Sequence, residues 1–191
     1  MAIPVSELQK INPSSKIELF ELQLDTNLHG NNDIFRFHNG ANLNANGEIV
    51  WQNNSYQRFP VEASGFEYTS KGMIPRPTFR VSNVLSTITA LMIQVNAVTP
   101  GNDLIGAKFT RRITLASALD NVNFASGTNP FGTPSSNEYP QEIFFIDRKV
   151  SEDRNVVQFE LTNVLDIQNK RIPARLVTRN LFPGVGTFVN G

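Results

Sequence analysis

Only one stretch of this chain keeps a helical period, and turn chemistry cuts the rest into runs short enough to read as strands. Val84, Leu85, Ile88, Leu91, Met92 and Val95 recur at spacings of three and four, which puts one apolar face on an amphipathic helix. The pattern predicts a helix over about 83–96, ending ahead of Pro100-Gly101. Ser82 or Asn83 would cap it by accepting bonds from the free first-turn amides. Elsewhere the period is two. Lys16–Leu24 reads KIELFELQL, where Ile17 and Leu19 alternate with charge before the apolar phase slips to Phe20, Leu22 and Leu24. Such a slip marks either a β-bulge or a strand buried on both faces in turn.

The other runs follow the same logic. Ile34–His38 reads as a strand, and Asn39-Gly40 and Asn46-Gly47 are tight-turn dipeptides that predict hairpins before Trp51. Trp51–Asn83 holds the densest turn chemistry and reads as strand, hairpin, strand and helix start. Within it, Lys71-Gly72 marks a turn, and Pro75-Arg76-Pro77 forces an extended approach to Thr78–Val81. Ala107, Phe109, Ile113 and Leu115 share one face of a long strand. Arg111 interrupts that face and reads as a basic stem snorkelling at a sheet edge. Glu142–Val150 and Val156–Thr162 are expected to form a hairpin across Ser151–Asn155. Eight or more short strands and one helix give a mainly β fold, a β-sandwich or partly closed barrel with a flanking amphipathic helix.

Three segments frame the organisation: a polar arm over 1–15 with a helical turn at Ser6–Ile11, a β-rich domain over 16–180, and a flexible tail over 181–191. Asp166–Arg171 reads as a polar turn and Ile172–Val177 as a short apolar segment. Residues 125–141 form the one long insert of low hydrophobicity, expected to be exposed and to take its shape only against something else. On that reading, deleting 127–138 spares folding but abolishes assembly with neighbours.

The balance of 17 acidic and 17 basic residues leaves no formal net charge. Near-neutral proteins tend to associate, and phosphate binding needs a basic surplus or face, so packing among other subunits is favoured over nucleic acid. No apolar run approaches the roughly 18 residues of a membrane span. Residues 1–16 lack a charged-then-apolar signal pattern, so the chain is expected to be made and kept in a cytoplasm until assembly.

Catalytic chemistry finds little footing. The chain has no cysteine, and its two histidines, His29 and His38, fall in the turn-rich first third, where they read as ordinary surface residues. With Asp33 they match no short zinc pattern, and no G-x-S-x-G elbow precedes a helix. Asp120, Glu138, Glu142 and Asp147 flank the insert, with Trp51 and Tyr139 available to stack on sugars, so a wall-degrading or carbohydrate-binding module stays open as an alternative.

The ordered series W-Q-x-x-x-Y-Q-x-x-P-V-x-x-S-G-F-E, K-G and R-P-T-x-x-V-S-N across Trp51–Asn83 resembles the minor tail protein L family of lambda-type long-tailed bacteriophages. The likeness continues through Leu104-x-Gly106-Ala107, Arg111-Arg112 and Leu119–Phe124, and more thinly through Ile172–Val177 and Asn180. The resemblance implies a non-enzymatic structural subunit of the virion tail tip with a domain like that of a tail-tube subunit. Its implied partners are the hub or host-specificity protein, the distal tail protein, and the tube and tape-measure proteins. It also implies three copies around the tail axis, matching a sixfold tube to a threefold tip. A distal tail or tube-closing ring protein is the nearest alternative. Family members commonly continue into a domain whose cysteines bind an iron–sulfur cluster; here Leu181-Phe182-Pro183-Gly184 stands where the first cysteine is expected. No cofactor is therefore expected for this chain. Arg111, Arg112, Phe131, Tyr139 and Arg76 are the candidates for contact with neighbours.

Overall fold

A computed structural model describes residues 3–40, 47–67, 75–84, 86–164 and 177–184. Among the described residues nine strands form one mixed sheet: β1 (Lys16–Gln23), β2 (Ile34–His38), β3 (Ile49–Trp51), β4 (Asn54–Arg58), β5 (Val61–Ser64), β6 (Thr78–Ser82), β7 (Lys108–Leu115), β8 (Glu142–Glu152) and β9 (Val156–Thr162). Their order is β3-β4-β2-β1-β7-β8-β9-β6-β5. All pairings are antiparallel except β2 with β4. Among the described residues three α-helices accompany them: α1 (Val5–Leu8), α2 (Thr26–His29) and α3 (Thr87–Val98). The protein is mainly β with one main helix, as the patterning predicted.

The sheet curls without closing into a barrel. Phe79 on β6 lies 4.8 Å from Phe109 on β7 and 5.8 Å from Phe37 on β2, ring centre to ring centre. Neither strand is a neighbour of β6 in the sheet, so these rings meet across the interior. Phe20 and Phe159 extend the cluster, and Leu22, Leu24, Val81, Phe144, Ile146 and Leu161 complete the core around it. At the seam the chain itself spans the two ends of the sheet. Phe59 N–H donates to the His38 carbonyl on the β2 side, and the next residue, Pro60, accepts from Ser82 on the β6 side. Pro60 brings no N–H of its own, so the ladder along β2 cannot run through it and the strand passes to β6.

β1 is buried on both faces in turn. Its register against β2 and β7 is continuous, which rules out a bulge as the cause of the phase slip. Phe20 and Leu22 enter the main core. Leu19 points the other way, into a second cluster with Ile49, Trp51, Tyr56 and Leu119.

The hairpins before Trp51 fall elsewhere than the Asn-Gly dipeptides predicted. Asn46 and the residues before it from 41 lie outside the described residues, and Asn39-Gly40 leads into no hairpin, because β2 pairs in parallel with β4. The tight hairpin joins β3 to β4 through Gln52 and Asn53, at φ 51° and 59°. A side chain far along the chain supports this left-handed pair: the Asp120 carboxylate accepts from the Gln52 and Asn53 amides, at 3.3 and 2.8 Å. The free edge of β3 is closed by Asn123, whose amide accepts from Val50 N–H at 2.7 Å and donates to the Val50 carbonyl at 2.6 Å.

α3 begins at Thr87 rather than 83 because Asn83 is still part of the sheet margin, its N–H donating to the Asn155 carbonyl. Asn83 nevertheless reaches the first turn: its side chain accepts from Thr89 N–H at 3.4 Å and donates to the Thr89 hydroxyl at 2.9 Å. Met92 and Val95 are buried under the helix, and Val84 is exposed. The β8–β9 hairpin stands as predicted. The turn at Lys71-Gly72 and the segments Asp166–Arg171 and 172–176 lie outside the described residues.

The histidines are not at the surface. His29 Nδ1 accepts from Asp25 N–H while Nε2 donates to the Ile105 carbonyl. His38 is fully buried; Nδ1 accepts from Gly40 N–H at 3.1 Å and Nε2 donates to the Gly47 carbonyl at 3.0 Å. Burial lowers the His38 pKa below its ordinary 6.5; the bond to Gly47 works against that and the charge of Arg58 adds to it.

Two measurements check this architecture. Phe79→Ala removes the ring that joins the two halves of the curl and should destabilise the fold by about 3–5 kcal/mol in chemical denaturation. For His38 the unfolded chain takes up its proton first, so the stability it supplies is complete above 6.5 and is lost as pH falls through the lower folded value. His38→Gln cannot titrate, and its stability should therefore fall less than the parent's between about pH 7.5 and about pH 5.5.

Candidate interaction surface

Arg111 and Arg112 are adjacent on a central strand, since β7 lies between β1 and β8; the sheet-edge expectation for Arg111 does not hold. Their side chains leave opposite faces. Arg111 sits on the inner face at one end of the curl, paired with Glu18 and, at 2.8 Å, with Glu142. Its guanidinium lies 4.7 Å from the centre of the Phe66 ring, and Phe66 packs edge-on against Phe144. The arginine therefore closes the end of the apolar interior while keeping two carboxylates as partners.

Arg112 sits on the outer face, 3.2 Å from Glu21 and 3.2 Å from Glu138, near the Trp51 ring. Glu21 also accepts from the Tyr56 hydroxyl at 2.6 Å and pairs with Arg36. Burial, followed by the Glu21 contact, pushes the Tyr56 phenol well above its ordinary pKa, so it is a fixed donor. Burial opposes the charge of Arg112, but Glu21, Glu138 and Tyr56 together outweigh it and raise its pKa.

This network fastens the insert 125–141 to its own chain. Glu138 is buried, Tyr139 N–H donates to the Ile113 carbonyl, and Thr114 Oγ1 donates to the Asn137 carbonyl. The Trp51 indole donates to the Ser135 carbonyl at 3.1 Å. At the far end Asn129 donates to the carbonyls of Ala116 and Leu119 and accepts from Phe131 N–H, all within 3.0 Å. The insert thus takes its shape from the body of the protein rather than awaiting a partner. The sequence marked Asn129 only as part of an insert of low hydrophobicity; its carbonyl partners are set by the fold.

The remaining candidates differ in kind. Phe131 is 58% exposed on this bracketed loop, touching Phe124 edge-on at 5.9 Å. Tyr139 is half-buried beneath Lys16, whose ammonium lies 5.2 Å from the ring centre. Arg76 is exposed and lies 3.2 Å from Glu160 and 3.6 Å from Asp147. The arm 3–15 is tied back as well: Ser14 meets Ser117 hydroxyl to hydroxyl at 2.9 Å, and Ala116 N–H donates to the Ser15 carbonyl. Beside Ser117 lies Gly132, where a Cβ would come within 2.9 Å of it, so arm and insert converge on one point.

Sequence patterning missed a groove of about 610 Å³ at the open seam, between β2, β4, β6 and α3. Phe35, Phe37, Phe59, Phe79, Ile88 and Leu91 line it.

The carboxylates considered for sugar chemistry are occupied in structure. Asp120 holds the β3–β4 turn, Glu142 pairs with Arg111 and Glu138 with Arg112. Among the described residues no three His, Asp or Glu side chains gather as a metal site. A thiolate-held cluster has no ligands in a chain without cysteine.

The model of the phage minor tail protein L family matches residues 26–186. The chain belongs to the phage minor tail protein L family. It is also 32% identical over 131 residues to the tail tip protein L of Escherichia phage lambda, an alignment covering 68% of this chain and 51% of that relative. The chain thus spans about half the length of the curated relative it matches. Membership makes it a structural component of a bacteriophage tail, and the series read from Trp51 to Phe124 lies within the matched region.

One deletion and one substitution separate anchoring from exposure. Removing 127–138 strips Asn129, the acceptor of Trp51 and the Glu138 partner of Arg112, and should lower the melting temperature by on the order of 10 °C or more. Phe131→Ala should cost less than about 1 kcal/mol, read in the same melts.

Proposed function

We propose that the chain is a non-catalytic subunit of the tail tip of a long-tailed, non-contractile phage, joining the distal end of the tube to the central hub or host-recognition protein. The family match over residues 26–186 carries this reading. The pairing of the candidate acids and bases supports a role without chemistry: Asp120, Glu138 and Glu142 are spent on the fold, and both histidines have both ring nitrogens bonded. The subunit works without a cofactor. It is made in the host cytoplasm, takes its place in the virion at the tail tip, and meets the hub, distal tail, tube and tape-measure proteins there, as three copies around the axis. Balanced charge suits a surface that spends its working life against other subunits.

Cryo-electron microscopy of the intact tail tip tests this directly, by copy number and position. Three copies between tube and hub is the expected result. Six in a planar ring would instead fit a distal-tail or tube-type subunit, and absence from purified particles would overturn the reading.

A further inference from the structure

From the position and chemistry of an exposed aromatic loop and an apolar groove we infer that copies of this chain associate head to tail, the Phe131 loop of one entering the seam groove of the next. The groove is walled by aromatic and aliphatic side chains, and its rim is completed by Ser55, Gln57, Thr87 and Gln94. Arg36 is its one ionisable lining residue. It pairs with Glu21 across β1 and β2, on the face opposite Phe35 and Phe37, so no free charge is directed into the groove by these strands. A charged occupant would leave its charge without a counterpart in an apolar site, at high desolvation cost; the matching occupant is uncharged and apolar.

The chain carries such a segment on its own surface. Residues 125–137 contain no Asp, Glu, Lys, Arg or His, and Phe131 projects from them at 58% exposure. Asn129 fixes the loop from behind, so presenting the ring costs little further ordering. In the groove the ring would meet Phe35, Phe37, Phe59 and Phe79, where edge-to-face contacts are favoured.

A single copy cannot make this contact with itself. Gly132, next to Phe131, lies against Ser117, which meets Ser14 just ahead of β1, whereas Leu22, near the end of β1, borders the groove. Eight strand residues separate these ends, a span of about 25 Å. Knob and hole on different parts of one chain make a heterologous contact, which yields a ring when the rotation closes. One ring and its loop bury too little for a tight dimer in dilute solution, so the contact adds up only among several copies or on a template. The inference rests on the tail-tip reading for its biological setting and on geometry alone for the contact.

The absence of native cysteine makes disulfide trapping clean. Thr133→Cys, which keeps the Phe131 ring, and Gln94→Cys are made as separate full-length proteins, checked by thermal melts against the parent, then mixed at high concentration and oxidised. The mixture should give a covalent dimer at least tenfold in excess of either variant alone, and the extra substitution Leu91→Arg in the Gln94→Cys chain, which places a charge in the groove, should abolish that excess. Equal yields in mixed and single samples, or cross-linking indifferent to Leu91→Arg, would overturn the contact. The doubly substituted chain in purified tails separates the two ideas. Incorporation with 133-to-94 cross-links supports both; incorporation without them overturns the contact alone. Absence of the unsubstituted chain from particles overturns the tail-tip reading, while the solution experiment still decides the contact.

Discussion

The packing of Phe79 against Phe37 and Phe109 is the contact on which the rest of the architecture depends. A sheet ordered from β3 to β5 could lie open; these rings draw β6 towards β2 and β7 and turn it into a curl with an interior. Because the curl is tightened by side chains and a two-residue crossing at Phe59-Pro60 rather than by a closing ladder, a seam remains. α3 covers part of that seam with Met92 and Val95, and the uncovered part is the groove. The apolar groove is thus a consequence of how the sheet ends meet.

The second structural device is the double use of β1 and β7. Their inner faces supply Phe20, Leu22 and Phe109 to the core, while their outer faces supply Leu19, Glu21 and Arg112 to a layer built from the β3–β4 hairpin and the insert. Half-buried ion pairs are a poor source of net stability, because desolvation offsets most of the attraction. Their consequence here is positional: Arg112 between Glu21 and Glu138 fixes where the insert lies. Asp120 and Asn123 do the same for the hairpin, each bonding to backbone roughly seventy residues earlier in the chain.

For a tail protein this division of labour matters. The side chains that resemble chemistry in the sequence are consumed in holding layers together, and two of the surfaces left facing outward are apolar: Phe131 on its bracketed loop and the aromatic seam. Such surfaces suit repeated contact between like subunits, where net charge would have to be neutralised at each junction.

By itself the sequence determined the class of fold, the number and approximate place of most strands, the single long helix and the family. Those rest on local periodicity and on turn residues, which act within a few positions of the chain. The two-sided burial of β1 was also legible, in the slip from Leu19 to Phe20, though not which alternative caused it. Only the tertiary structure decided that β2 pairs in parallel with β4, that Arg111 stands at the sheet centre, that both histidines are buried, and that the insert is anchored by Asn129 and Glu138. Each of these turns on a partner distant in sequence or on which strands become neighbours, and periodicity reports which face a residue takes without saying what will be opposite it.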